Sequence, residues 1–363
     1  MTANPLIVQV LWSFGRAGAE RLVLDLARAL PQHGFRSRVI AAGGGGEMER
    51  DFLDAGVEYA IGPAVSSWRR YETVNFLKRQ IAAYPPAVWH AHLSEIWAGW
   101  ALRSSNAKAP FVVTAHNDDR DDPWVRHKAR GMAFRDADKV VCISKVVQQY
   151  VEQEFHVPSS ETTIIRNGID LRRVIGRTKR IFSEPARLVT VGRLVAQKDH
   201  ATLLKALARI KQPWQLDILG QGPEQPALER LAGSLKLTSR IHFLGSVANV
   251  AERLSHADLF LFPSRWEGQG IALLEAAAAG VPVIASDLPV FHETFDAQSL
   301  AFAKAQHVSA WARAIEIALA YPEHALTRAR RAEEITRRKF ALDRMVDKYV
   351  QLYRSLLSSG LRS

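Results

Sequence analysis

The chain has 363 residues, room for two domains of ordinary size, and its 47% hydrophobic content is that of a globular protein. A net charge of +11 suggests anionic partners, but there is no zinc-ligand spacing and no aromatic-basic RNA signature, so nucleic acid is disfavoured. The one cysteine, Cys142, rules out an internal disulfide and fits a reducing compartment, and no apolar run reaches the ~18 residues of a membrane span.

Leu6 to Trp12 reads as a first strand with no basic segment before it, so a cytoplasmic location is expected. Short apolar runs at Ile7–Leu11, Ser37–Ala41, Ala87–His90, Phe111–Thr114, Lys139–Ile143 and Thr163–Ile165 predict parallel strands buried on both faces. Helices are expected between them; Leu22, Leu26 and Leu30 stripe the first, and Gly34 fits its stop. Cys142 lies in one of the apolar runs and reads as a buried structural thiol. Asn167-Gly168 signals a turn, and Arg166 to Pro185 reads as an interdomain linker.

The alternation restarts with strands at Arg187–Val191, Gln215–Leu219, Ile241–Leu244, Asp258–Phe262 and Pro282–Ala285. Charged, amphipathic helices follow from about Ser309 to Leu357. Alternating β and α elements predict an α/β protein with two doubly wound, Rossmann-like domains facing a cleft at the carboxyl ends of their strands.

The most informative segment is Pro263-Ser264-Arg265-Trp266-Glu267-Gly268-Gln269-Gly270-Ile271-Ala272-Leu273-Leu274-Glu275-Ala276. A strand feeds a glycine turn, and the turn opens an alanine-rich helix ending at Gly280. That arrangement aims the main-chain N–H groups of Gly270, Ile271 and Ala272 at a phosphate. Glu267 and Glu275 can accept hydrogen bonds from hydroxyls of the same ligand, which suggests a sugar nucleotide. A glycosidase pair sits about 5–9.5 Å apart, whereas eight helical residues rise about 12 Å; the two glutamates are expected to touch different parts of one elongated ligand. Arg193 and Lys198, after a strand ending in Gly192, can stabilise a departing diphosphate without a metal.

This segment resembles the E-x7-E motif of glycosyltransferase family 4, whose members are retaining and have the GT-B fold. In the same order along the chain, Ala17-Gly18-Ala19-Glu20, His90-Ala91-His92, Thr114-Ala115-His116, Cys142-Ile143-Ser144, Asn167-Gly168-Ile169-Asp170 and Val191-Gly192-Arg193-Leu194 with Lys198 are similar to further motifs of that family. Ala17 departs from the usual first glycine of its loop, and Gln269 from a common Phe, a change bearing on the donor sugar.

The resemblance implies an N-terminal acceptor domain over 1–166, a linker over 167–186, a nucleotide-sugar domain over 187–340, and a final helix over 341–363 that crosses back to the first domain. It implies that Glu275 holds ribose hydroxyls, Glu267 a donor-sugar hydroxyl, and Arg193, Lys198, Gly270, Ile271 and Ala272 the diphosphate. Gly18 would approach the donor, and His116 would bond a donor-sugar hydroxyl or orient the acceptor. His90 and His92 share one strand face, with no nearby carboxylate to complete a metal site. Asp119-Arg120-Asp121 reads as a charged loop.

The expected activity is metal-independent transfer of a sugar from a nucleotide-diphosphate sugar, as substrate and with no cofactor, to a glycan or lipid-linked hydroxyl. Polysaccharide, lipopolysaccharide or glycolipid synthesis is the expected setting. A sugar-nucleotide epimerase or phosphorylase of the same fold is the alternative. A dinucleotide-dependent oxidoreductase is remote, because Gly15-Arg16-Ala17-Gly18 lacks the G-x-G-x-x-G pattern. Two aromatic-basic patches suggest docking on an anionic membrane face. One is Ser67 to Tyr71; the other places Trp124, Met132 and Phe134 among Arg126, Lys128, Arg130 and Arg135.

Overall fold

A computed structural model describes residues 4–64, 70–105, 107–117, 123–178 and 181–358. The chain divides into two compact units, Met1–Gly168 with Leu342–Ser363, and Ile169–Ala341.

The first unit is built on strands β1 (Leu6–Leu11), β2 (Arg36–Ala41), β3 (Glu58–Ile61), β4 (Val88–His92), β5 (Phe111–Ala115), β6 (Lys139–Cys142) and β7 (Thr162–Ile164). Its helices are α1 (Gly18–Ala29), α2 (Glu49–Asp54), α3 (Arg70–Ala83), α4 (Glu95–Arg103), α5 (Trp124–Asp136) and α6 (Lys145–Phe155). The second unit has strands β8 (Ala186–Val191), β9 (Trp214–Leu219), β10 (Ile241–Gly245), β11 (Leu259–Phe262), β12 (Val283–Ser286) and β13 (Ala301–Ala303). Its helices are α7 (His200–Leu207), α8 (Gln225–Ser234), α9 (Val250–Ser255), α10 (Ile271–Ala278), α11 (Pro289–His292), α12 (Val308–Ala320) and α13 (Pro322–Lys339). The last helix, α14 (Leu342–Ser358), returns to the first unit.

Both sheets are parallel. The first runs β3-β2-β1-β4-β5-β6-β7 and the second β10-β9-β8-β11-β12-β13. In each, strand order reverses once, between β1 and β4 and between β8 and β11. The chains leaving such a pair go to opposite faces of the sheet, so a crevice opens beyond their carboxyl ends. The central strands are apolar on both faces because helices cover both; β1 and β11 are buried along their whole length.

On one face of the first sheet, α1 and α14 enclose a core with Ile7, Leu11, Leu22, Leu26, Met345, Tyr349 and Tyr353. The other face is packed by Val8, Val10, Leu77, Trp89, Phe134 and Phe155. Cys142 is buried, and burial together with Glu152 pushes its thiol up to about 12, so it is a packing residue with no nucleophilic role.

The stretch expected as a linker belongs largely to the second unit. Ile169 pairs with Ala341, so the chain enters and leaves that unit side by side. Arg177 is buried and donates to Asp258 Oδ1 at 2.8 Å and to the Ala257 carbonyl at 2.9 Å. Asp258 Oδ2 also accepts the N–H of Ser183 at 3.0 Å and of Arg187 at 2.9 Å. A carboxylate with no exposed surface thus ties Arg177 and Ser183 to the start of β8.

The aromatic-basic patch on α5 is smaller than its sequence suggests. Phe134 is in the core, and Arg130 is buried and donates to Glu95 at 2.7 Å. Trp124, Val125 and Met132 remain exposed, with Lys128 lying 4.1 Å from the Trp124 ring centroid. Of the other patch, Ser67 to Arg69 lie outside the described residues, and Arg70 stacks on Trp12 instead of facing solvent freely. Among the described residues no helix is long and apolar enough to cross a membrane.

Asp258→Ala removes the counter-charge of a buried guanidinium and two N–H acceptors at once. It should destabilise the second unit by about 3–5 kcal/mol, read as a lower denaturant midpoint. A midpoint equal to wild type would show that the 169–185 segment is not held by this carboxylate.

Candidate active site

Loops following β8 and β11 flank the reversal of the second sheet, and hydrogen bonds join them. Arg265 N–H donates to the Gln197 carbonyl at 2.8 Å, and Gln197 Nε2 donates to the Trp266 carbonyl at 2.9 Å. Arg265 also reaches Asp199 at 3.3 Å. At the centre Lys198 Nζ pairs with Glu267 Oε1, which also accepts the Ser264 hydroxyl at 2.7 Å. Lys198 further sits 5.1 Å from the centroid of the buried Phe262 ring. The expected phosphate lysine and the expected sugar-binding glutamate are therefore partners of each other. Arg193, by contrast, is exposed, and its guanidinium has no hydrogen-bond or ion-pair partner among the described residues.

Gly270 caps α10 with φ +83°, in the left-handed region. A Cβ there would also lie 3.0 Å from Phe262 and 3.1 Å from Phe291, so glycine is required twice over. No side chain caps this helix, and the N–H groups of Ile271 and Ala272 have no intrahelical acceptor. Leu273, Leu274 and Ala276 to Ala278 are buried, whereas Ile271, Ala272 and Glu275 are only half-buried. Glu275 thus shares the accessible side of α10 with the two N–H groups, one turn further on.

One element escaped the sequence reading. Gly220-Gln221-Gly222 follows β9 and backs the Arg193 loop: Leu194 N–H donates to the Gln221 carbonyl at 2.9 Å. A Cβ on Gly220 would meet the Gly192 carbonyl oxygen at 2.0 Å, and one on Gly222 the Leu194 oxygen at 2.3 Å. The available signal was a G-x-G directly after an apolar strand.

The first unit carries a histidine cluster at its own reversal. His90 in β4 is fully satisfied, with Nδ1 2.7 Å from the Tyr353 hydroxyl and Nε2 2.8 Å from Thr114 Oγ1. Thr114 Oγ1 is 3.2 Å from the Tyr349 hydroxyl. His90 is therefore a buried link between the sheet and α14. His92 Nδ1 lies 3.1 Å from Nε2 of His116, which follows β5. Burial keeps all of these rings neutral: His90 is lowered to about 3, His116 to about 4, and His92 well below its ordinary value.

Neutrality decides where the protons sit. His92 Nε2 is buried with no partner. If His116 donated to His92, this orphan nitrogen would carry the proton, and orphaned buried N–H groups are the costlier kind. The cheaper arrangement has His92 Nδ1–H donating to His116 Nε2. His116 then carries its proton on Nδ1 and can donate it to an oxygen. Gly18 lies nearby in the topology, opening α1 after the extended Ala17, again with no side-chain cap. Asp119 to Asp121 lie outside the described residues, and among those described no cluster of His, Cys, Asp and Glu could hold a metal.

Two family profiles match in tandem: Glycosyltransferase Family 4 over residues 16–173 and Glycosyl transferases group 1 over residues 173–336. The chain belongs to glycosyltransferase family 4. Among relatives of this family 4 chain, the O-antigen biosynthesis glycosyltransferase WclY of Escherichia coli is 28% identical over 62% of this chain and 63% of that protein. The match thus spans a little under two thirds of that relative. The lipopolysaccharide core biosynthesis glycosyltransferase LpsE of Rhizobium meliloti strain 1021 is 27% identical, covering 94% of this chain and 97% of its own length. Among solved structures, Anabaena Alr3699/HepE in complex with UDP and glucose has a TM-score of 0.86 at 18% identity, over 97% of this chain and all of that one. At that identity the likeness establishes the shared fold alone.

The neutral imidazoles make stability depend on pH. Their folded values lie below the ordinary 6.5, so between about 4 and 6.5 the unfolded chain binds protons that the folded chain does not. Stability is full above about pH 6.5 and falls as pH drops toward 4. The melting temperature should be lower at pH 5 than at pH 7.5, and His92→Phe should narrow the difference. An equal or higher melting temperature at pH 5 would mean the rings are not held neutral.

Proposed function

We propose that this protein is a retaining glycosyltransferase that moves a sugar from a nucleotide-diphosphate sugar to a hydroxyl of a glycan or lipid-linked acceptor. Polysaccharide or lipopolysaccharide synthesis is the setting suggested by the relatives' names. The observation that carries this reading is the joined pair of loops at the β8/β11 reversal. They bring an arginine, a lysine, a buried glutamate and the open N-terminus of α10 to one edge of one sheet.

In this reading Arg193, Lys198 and the N–H groups of Gly270, Ile271 and Ala272 take the diphosphate. Glu275, on the same side of α10, takes ribose hydroxyls. Glu267 exchanges Lys198 for a donor-sugar hydroxyl when the diphosphate arrives, because the lysine then has a stronger anionic partner. As the glycosidic bond breaks, negative charge grows on the diphosphate, and the two cations stabilise it in place of a divalent metal. Within the first unit, the Nδ1–H of His116 serves to orient an acceptor hydroxyl. Nucleotide sugars are also the ligands named for the Anabaena neighbour, whose complexes hold UDP and UDP-glucose.

Arg193→Ala and Lys198→Ala should each lower turnover by about two powers of ten or more, some 3 kcal/mol of transition-state stabilisation. EDTA should leave wild-type turnover unchanged. In calorimetry, Glu275→Ala should weaken nucleoside diphosphate binding, while Glu267→Ala keeps that affinity and loses turnover. The reverse pattern would exchange the roles of the two glutamates. Conversion of the nucleotide sugar to its epimer without an acceptor, or transfer to inorganic phosphate, would favour an epimerase or phosphorylase instead.

Exposed Trp124, Val125 and Met132 beside Arg126 and Lys128 support reversible docking on an anionic membrane, where each basic residue gains roughly 1 kcal/mol. Binding to phosphatidylglycerol vesicles should fall steeply between low and physiological salt. A protein that ignores such vesicles at low salt would leave a soluble acceptor as the better reading.

A further inference from the structure

Beyond the carboxyl ends of β1 to β5, on the face of the first sheet away from α14, lies a second group of residues that the donor chemistry does not use. Trp12 directly follows β1 and lies against the glycine run after β2: a Cβ on Gly43 would fall 2.3 Å from the indole ring. Arg70, the first residue of α3, places its guanidinium 4.1 Å from the Trp12 ring centroid and 5.9 Å from that of Trp97 in α4. Its Nη1 is buried and has no hydrogen-bond partner. Arg126, in the first turn of α5, is close enough to disfavour charge on Arg70, as does burial.

These features are costly for a protein that binds nothing here. A guanidinium has five N–H donors in a planar fork, and a desolvated donor left unpaired is destabilising. A second arginine nearby adds repulsion where a carboxylate would be expected. Among the described residues Arg70 has no acidic partner. The indole stack fixes the plane of the guanidinium, so the fork is presented in one orientation. Aromatic faces beside a fixed cation suit a sugar ring carrying an anionic substituent.

We propose that Arg70 on Trp12, with Trp97 and Arg126 beside it, is the binding site for a phosphate group carried on the sugar acceptor. The proposal rests on the glycosyltransferase reading above and adds the chemical class of its acceptor: a phosphorylated glycan. The fork of Arg70 takes two phosphate oxygens, and the indoles pack against the ring that bears the phosphate. Because the site sits beyond the carboxyl ends of the strands, it shares that edge of the sheet with His116 and Gly18.

The test is calorimetry on the full chain with UDP saturating, so that the phosphate donors of the second unit are occupied. Glucose 6-phosphate and inorganic phosphate should bind and glucose should not. Arg70→Ala should weaken glucose 6-phosphate at least about tenfold, the scale of one charge-assisted bond. Arg70→Lys should weaken it similarly, since an ammonium neither stacks nor forks. UDP affinity should be unchanged in both variants, which also reports that they are folded; if Arg70→Ala fails that control, Arg70→Lys decides. The proposal is overturned if neither phosphate probe binds wild type, if both variants keep wild-type affinity, or if Arg70-dependent binding appears only with phosphatidylglycerol vesicles. A wild type that binds none of UDP, GDP and ADP but shows Arg70-dependent phosphate binding would sink the donor reading and leave this site standing.

Discussion

The reversal of strand order is the constraint on which the rest of this protein depends. A parallel sheet covered on both faces must send its chain to opposite sides at one point, and the loops there have no helix to pack under. In the second unit the loops after β8 and β11 solve this by bonding to one another through Gln197, Asp199, Arg265 and Trp266. The Lys198–Glu267 pair is a by-product of that arrangement. It makes each group the other's partner and leaves both ready to exchange partners. Arg193 stays outside the pairing, so the site still offers an uncompensated cation to an arriving anion.

Much of this could be read from the residues. The inner strands announce themselves because both faces are covered and nearly every residue is apolar. The glycine turn at Gly270 and the charges around it are local features, and local features survive in sequence. Strand β3 went unread because none of its residues is fully buried and it shows no apolar run, and β13 because it has only three residues, two of them alanines.

Other features depended on contacts that no spacing reveals. His90 looked like a candidate ligand, but its partners are Thr114 and a tyrosine 263 positions along the chain. Arg130 and Phe134 looked like surface anchors because α5 has little amphipathic contrast; the packing of α4 and α6 decides which of its residues turn inward. Arg177 read as part of a basic linker because its carboxylate, Asp258, lies 81 residues away. His90, Arg130 and Arg177 were misjudged because the partner of each is remote along the chain.

The hydroxyls of Tyr349 and Tyr353 close the His90 network from the far end of the chain, and this has a consequence for biosynthesis. The first unit is discontinuous, completed only by residues after Leu342, whereas the second is one uninterrupted segment from Ile169 to Ala341. Chains fold as they emerge from the ribosome, usually N-terminal domain first. Here the half that is made first must wait, with the face later covered by α14 open and His90 lacking Tyr353, while an entire second domain is translated and folds ahead of it. The nascent N-terminal half is thus the long-lived unfinished species, and it is the natural client for a chaperone during synthesis.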